Sequence, residues 1–438
     1  MVKFNIIIIA KYIKTVNFKK NFKDNIPMIR DNYLDISKLT TDPKVMKLFQ
    51  VVADNGGVLR FVGGAVRDAL KGLNSTDLNL ATDLSPDELV EACSDRGIKT
   101  IPLGIKQGTI GVVIGNTTLE VSSLYKYVIN KDGVPEIEFT DNWEEDASRR
   151  DLTINAVYAD ENGNVFDYYN GIEDLEKGYV RFIDSATQRI KEDYLRILRY
   201  FRFYSLFGVA EPNQKALTAC RENSAGLKKV AMERIRDELF KLIQTPNAPR
   251  AYRLMQENGI LGYIMPDAAY IDDLEFLNQI IGEQNIDDAA LVKMFVLYRP
   301  DPALAENLAV RLKFSRREKQ LFMALATENI SLAGLLNRKT LLKVIYRHDC
   351  GFARAKLLSA VASFRQVPDN LWTIYNEIAA LPQFVFPVKG KDILDAGLND
   401  RHQVGRVLKE LEQIWIDSDF DLTKEQLLVQ VDNLKEVI

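Results

Sequence analysis

The sequence predicts an α+β protein, with a mixed α/β first third followed by an all-helical remainder. Three observations carry that prediction. Short β-rich runs bounded by glycine, proline and serine recur between residues 59 and 124. Beyond about residue 185 the apolar spacing turns helical, as in Ile235, Leu239, Leu242 and Ile243, and no strand-like run returns. With 438 residues, 47% of them hydrophobic and 27% charged, the chain has a globular composition and room for roughly two to four domains with buried cores.

The elements follow in chain order. Residues 1 to 23 carry six lysines and no acid around one apolar run, Ile6 to Ala10, too short for a membrane span. A mitochondrial presequence favours Arg and Ser, and neither occurs before Arg30. Residues 1–35 are therefore expected to be a disordered extension or a misassigned start, with an organellar address as the second option. LRFV at 59–62 reads as a strand, Gly63-Gly64 as a turn, and Ala65 to Lys71 as a helix stopped by Gly72. A second strand is expected at Asp77 to Ala81. Ser85, Pro86 and Glu88 form a capping box that opens the next helix. Thr109 to Ile114 and Thr118 to Leu124, joined by Gly115-Asn116, predict a hairpin.

Composition narrows the chemistry. Cys93, Cys220 and Cys350 are more than a hundred residues apart, which excludes a C-x-x-C metal or redox pair. His348 and His402 are too few for His-based metal triads, so any catalysis rests on carboxylates and cations. The formal net charge of −4 points to no polyanion, yet Arg181 to Lys241 holds 13 basic against 8 acidic residues. That segment would attract a polyanion first, or is a pair of solvated helix faces.

Two constellations stand out. Gly63-Gly64-Ala65-Val66-Arg67-Asp68 puts bare backbone N–H groups and a helix start where a phosphate could approach, with Arg67 able to add a bidentate contact; a Gly-Gly turn alone is more often only a turn. Strand alternation sets Asp77 and Asn79 on one face, where two carboxylates would hold a divalent metal, although the second position is an amide. Glu120 on the hairpin could add a carboxylate or simply face solvent.

GGAVRDAL, DLNLATD, EDASRRDLTINA, EDYLRILRYFRF and MERIRDELFKL, in this order and spacing, resemble the class II tRNA nucleotidyltransferase and poly(A) polymerase family. GKDILDAGLNDRHQVGRVLKELEQIWI resembles the tail of bacterial members. The resemblance implies a polymerase-β-like nucleotidyltransferase head (36–180), a helical neck (181–245), and a helical body and tail (246–438) that hold tRNA. It implies addition of CMP and AMP, or AMP alone, to an RNA 3′ end from CTP and ATP with Mg²⁺ or Mn²⁺, in the cytoplasm and without a membrane. By resemblance Gly63, Gly64 and Arg67 hold triphosphate, Asp77 and Asn79 hold metal, and Arg149, Arg150, Asp151 and Asn155 line the nucleotide site.

Asp193 and Arg196 match the family's base-reading pair. On one helix, residues three apart share a face. A carboxylate there accepts from the amino group of cytosine or adenine while a guanidinium donates to the ring nitrogen; uracil and guanine present the opposite pattern. Arg199 and Arg202 continue the basic side toward phosphate, and Lys228, Lys229 and Arg234 are expected RNA contacts. Without the resemblance, Arg196, Arg199 and Arg202 would read as surface residues.

The chain departs from the family at two places. Asn79 replaces an aspartate, and Ser122-Ser123-Leu124-Tyr125 replaces the usual Thr-Thr-Leu or Phe-Arg of a loop that helps switch from C to A addition. Three readings stay open: a CCA-adding enzyme, a poly(A) polymerase, and a catalytically weakened RNA-binding relative. His348-Asp349 lacks the other histidines of a fused phosphohydrolase.

Overall fold

The computed structural model describes residues 33–73, 78–104, 108–129, 131, 135–266, 270–398 and 401–435. The expected extension up to residue 32 and the metal candidate Asp77 lie outside the described residues. Tyr33 bridges Asn164 and Leu34 is buried, so residues 33 and 34, expected in the extension, pack on the sheet domain. The chain divides into two compact units, residues 1–267 and 268–438.

Among the described residues the first unit is organised by a seven-stranded mixed sheet in the order β3 (Lys99–Gly104), β4 (Thr109–Ile114), β5 (Thr117–Ser123), β2 (Asn79–Thr82), β1 (Leu59–Val62), β8 (Val157–Ala159), β9 (Val165–Asp167). Next to the central strand of this order lies β1, the predicted LRFV strand, buried at three of its four positions as befits a strand covered on both faces. Helix α1 (Ser37–Thr40) and helix α2 (Pro43–Asp54) precede it, and helix α3 (Gly64–Leu70) follows the Gly63 turn. The second strand, β2 (Asn79–Thr82), is antiparallel to β1. Helix α4 (Pro86–Ser94) starts at Ser85 with the predicted capping box complete: Glu88 N–H reaches Ser85 Oγ at 3.4 Å, and Ser85 N–H reaches Glu88 Oε2 at 2.8 Å.

Strands β3 (Lys99–Gly104), β4 (Thr109–Ile114) and β5 (Thr117–Ser123) form an antiparallel meander whose last two members are the predicted hairpin. β5 then lies parallel to β2, and that crossover sets Asn79 opposite Glu120 and Leu80 opposite Val121. Strands β6 (Tyr125–Ile129) and β7 (Pro135–Phe139) form a separate two-stranded arm. Helix α5 (Trp143–Ser148), strands β8 (Val157–Ala159) and β9 (Val165–Asp167) and helix α6 (Gly171–Lys177) complete the mixed part.

Among the described residues no strand follows β9. Helices α7 (Ala186–Glu192), α8 (Arg196–Phe207), α9 (Gln214–Asn223), α10 (Met232–Ile243) and α11 (Ala248–Glu257) continue the first unit. Ile235, Leu239, Leu242 and Ile243, the predicted apolar face, are all buried on α10. The second unit is helical in its described residues. The helix Cys350–Phe364 is buried on almost every side, as expected of a central helix. Ile393, Val407, Leu411, Trp415 and Leu427 join the three helices of the terminal stretch into one apolar cluster. Among the described residues no helix is long and apolar enough to cross a membrane.

Candidate active site

The turn from β1 into α3 requires its glycine. Gly63 has φ +63°, which side-chain-bearing residues rarely adopt, and a Cβ there would sit 3.5 Å from the Asn155 carbonyl oxygen and 3.9 Å from Arg150 Nη1. A Cβ on Gly64 would sit 3.8 Å from Asn79 Nδ2. The two glycines thus bring bare backbone between Asn79 on one side and Arg150 with Asn155 on the other.

Arg67 is not a free cation at this turn. Its Nε and Nη2 donate to Asp68 Oδ1 at 3.0 and 2.8 Å, and its Nη1 donates to Asn155 Oδ1 at 2.6 Å. The guanidinium lies 4.9 Å from the ring centroids of both Phe203 and Phe207 on α8. Burial pulls its pKa down, partly opposed by Asp68. Arg67 therefore ties the glycine turn to the helical segment.

Asn79 is half-buried and Glu120, its register partner, is exposed. The expected strand began at Asp77, whereas β2 begins at Asn79. Among the described residues, no group of three or more His, Cys, Asp or Glu side chains is placed to hold a metal ion.

The RRD segment is organised by a residue that the sequence reading passed over. Asn142 caps α5 by accepting from the Glu144 and Glu145 N–H groups, which starts the helix so that Asp146 faces inward, fully buried. Arg149 and Arg150 follow it at i+3 and i+4 and both bond its carboxylate, as does the Tyr158 hydroxyl at 2.7 Å. Burial pushes Asp146 up, but Arg150 and Arg149 outweigh it and hold the carboxyl below the usual range. The helical spacing of an acid before two arginines was the available signal.

Asp151 is also buried. It accepts from Arg199 Nε at 2.6 Å, Asn155 Nδ2 at 3.0 Å and the Leu152 N–H at 2.9 Å. Burial opposes its charge, but Arg199 and the Asn155 amide prevail and the carboxyl is held well below the usual range. Its stabilisation is therefore complete above the unfolded value, about 3.9, and is lost as pH falls toward the folded one. Arg199→Ala leaves that charge uncompensated and is expected to cost about 3 kcal/mol at pH 7. Urea midpoints at pH 7 and in acid check this: the gap between variant and parent should close as Asp151 protonates.

The expected helix carrying both Asp193 and Arg196 is broken between them. Asp193 ends α7 with extended backbone (φ −153°, ψ 107°), and Arg196 is the first residue of α8. The Asp193 carboxylate accepts from the Leu195 N–H at 3.1 Å, while its carbonyl accepts from the Arg196 N–H at 3.0 Å, so it heads the turn that leads into α8 rather than sharing a helix face with Arg196. Tyr194 fills the break by packing on Gly226, where any Cβ would lie 2.0 Å from its ring. Arg234 Nη2 on α10 pairs with Asp193 Oδ2 at 2.7 Å. Arg196 bonds Glu192, the Arg189 carbonyl and the Arg149 carbonyl, which fastens α8 to the RRD segment.

Reading Arg196 and Arg202 as surface residues also fails. Both guanidinium groups are largely buried, and Arg202 pairs with Glu238 on α10. Lys228 and Lys229 are exposed, the first 5.4 Å from the Tyr263 ring and the second 5.8 Å from that of Tyr194. Hydrogen bonds thus run from Arg67, on the helix after the glycine turn, through Asn155 and Asp151 to Arg199, while Arg196 joins the Arg149 carbonyl and Arg234 joins Asp193.

A family model described as the poly A polymerase head domain matches residues 59–181, and one described as a probable RNA and SrmB-binding site of polymerase A matches residues 211–271. The mitochondrial CCA tRNA nucleotidyltransferase 1 of Danio rerio is 33% identical over 412 residues, covering 90% of this chain and 91% of that one. The CCA-adding enzyme of Ligilactobacillus salivarius is 24% identical over 90% of this chain and 96% of its own. The crystal structure of the Bacillus stearothermophilus CCA-adding enzyme in complex with CTP shares the fold with a TM-score of 0.75, at 23% identity over 90% of this chain and 98% of that one. A polymerase-β-like head with a helical continuation is therefore the architecture. Similarity sustained at one residue in three along nine-tenths of both chains makes this protein a member of the tRNA nucleotidyltransferase and poly(A) polymerase family.

Proposed function

We propose that this chain is a nucleotidyltransferase that adds CMP and AMP, from CTP and ATP, to the 3′ end of tRNA. The observation that carries the reading is the continuous network joining the glycine turn, the RRD segment and the 193–202 segment in a chain that matches CCA tRNA nucleotidyltransferases along its length. In this reading residues 36–180 hold the reacting groups, 181–245 read the base, and 246–438 hold the tRNA body.

Each residue has a task that its geometry suits. The Gly63 and Gly64 backbone, with Arg67 behind it, faces the triphosphate, and Arg149, Arg150, Asp151 and Asn155 shape the nucleotide pocket. Asp193 accepts from the amino group of cytosine or adenine. Arg196 has five N–H donors, three of which are taken by Glu192 and two carbonyls, so two remain for a base. Arg199 and Arg202 add positive potential toward phosphate although each has a carboxylate partner.

The Asn79 amide beside the Glu120 carboxylate is a hard oxygen donor set, which suits an ion that fills its remaining positions with water and substrate phosphate. Asp77, Asn79 and Glu120 would hold Mg²⁺ or Mn²⁺. When bound, such an ion offsets triphosphate charge and makes the attacking 3′ hydroxyl more acidic. Asn79 also favours a second reading, a catalytically weakened relative that still binds RNA ends. The deciding assay supplies tRNA lacking its CCA end with each labelled triphosphate and Mg²⁺ or Mn²⁺. Incorporation of C then A supports CCA addition, A alone a poly(A) polymerase, and binding without incorporation the weakened relative. The cytoplasm suits bacterial relatives and an organelle suits the mitochondrial ones.

Lys228, Lys229 and Arg234 are assigned to RNA phosphate. Binding of a tRNA minihelix should weaken as salt rises, because each neutralised phosphate releases counterions. Reversing the charge of Lys228 and Lys229 should lower the slope of log affinity against log salt by about 1 to 2. A slope equal to the parent's would move the contact elsewhere.

A further inference from the structure

We infer that Asp146 is the positioning residue that fixes Arg149, Arg150 and the root of the β6–β7 arm as one unit, a role that rests on the nucleotide-binding reading above. Its side chain is fully buried, so neither substrate nor solvent reaches it. Its two oxygens divide the work. Oδ1 accepts from Arg149 Nε and Nη2 at 2.8 and 2.5 Å and from the Tyr125 N–H at 3.4 Å. Oδ2 accepts from Arg150 Nε and Nη2 at 3.3 and 3.0 Å and from the Tyr158 hydroxyl at 2.7 Å.

Tyr125 is where the coupling to the arm lies. It opens β6, its carbonyl accepts from Arg149 Nε at 2.9 Å, and its ring lies 3.3 Å from the Arg149 guanidinium carbon. Arg149 is therefore held from three sides, by the buried carboxylate, by the arm's carbonyl and by the arm's ring. Arg150 is held by the same carboxylate and by Tyr158, the β8 residue that stacks edge-on against Trp143. An ionised carboxylate is acceptor-only, so each oxygen can fix one guanidinium. Asparagine keeps the size but turns one of those acceptors into a donor, and one arginine then faces N–H groups.

The full chain carrying Asp146→Asn tests this. The KM for CTP should rise about tenfold with kcat within about threefold, because displaced arginines lose binding common to ground and transition states. Amide exchange over residues 125–129 should also quicken. A purely structural role predicts the reverse, a lower kcat from a smaller active fraction at unchanged KM. In a double-mutant cycle with Arg150→Lys, the combined rise in KM should be no larger than the greater single rise, since the two act as one unit. Additive effects would overturn the inference. If Asp146→Asn does not fold, Tyr158→Phe removes one donor to Oδ2 and should raise KM about threefold; an unchanged KM overturns the inference. A parent chain that incorporates while both variants match it leaves the proposed function standing and removes the positioning role. A parent inert toward all four triphosphates removes both.

Discussion

Asn79→Asp is expected to raise nucleotide incorporation, and Asp77→Ala to abolish it. The first expectation rests on what an amide lacks. At about 4 Å and an effective dielectric near 20, a charge pair is worth about 4 kcal/mol, which an amide oxygen does not supply to a cation. If all of that fell on the transition state, the gain would approach three decades of rate. The gain will be smaller where the ion already finds charge nearby, and Glu120, directly across the β2–β5 ladder, is the described carboxylate that could provide it. Glu120→Gln separates the two cases: if Glu120 compensates for Asn79, its loss should be severe in the parent and mild in the Asn79→Asp variant. Initial rates at saturating CTP, in Mg²⁺ and in Mn²⁺, measure all of this. Rates unchanged by both Asp77→Ala and Asn79→Asp would remove this strand from the chemistry.

The parts of this fold that short-range rules govern were readable. Ser85 with Glu88, the Gly115-Asn116 turn and the buried face of α10 each depend on neighbours within a few residues, and each stands as expected. The parallel pairing of β2 with β5 depends on the long connection from residue 83 to residue 116, so nothing local could have set Asn79 beside Glu120. The break at Asp193 was missed for a different reason. KEDYLRIL contains no glycine or proline, and its apolar spacing reads straight through. What breaks it is an aspartate whose carboxylate holds the Leu195 N–H in a turn and a tyrosine seated on a distant glycine, Gly226; an acid just ahead of an apolar run was the legible half of that signal. Asp146 escaped because an acid three and four residues before two arginines usually marks an exposed helix face, and here burial reverses its meaning.

The break changes how base reading must be tested. With both residues on one helix, the double exchange Asp193→Arg with Arg196→Asp would simply reverse donor and acceptor and favour UTP and GTP. In the observed arrangement an arginine at position 193 would face Arg234 and an aspartate at position 196 would face Glu192, so the exchange sets like charges together at two places. A smaller change is cleaner. Asp193→Asn keeps an oxygen that can accept from the Leu195 N–H and adds an N–H group that can donate to the uracil carbonyl. Discrimination for CTP over UTP should then fall by about 1–3 kcal/mol, roughly 5- to 150-fold in the competition between triphosphates. Arg234→Gln is the control: it removes the same ion pair and leaves the Asp193 carboxylate in place. If Asp193 is no more than half of a partly exposed salt bridge, the two substitutions should have equal and small effects, within about 1 kcal/mol of stability, and neither should move selectivity. If Asp193 reads the base, only its own substitution should move selectivity. An active Asp193→Asn variant with the parent's preference for CTP over UTP would sink the base-reading role.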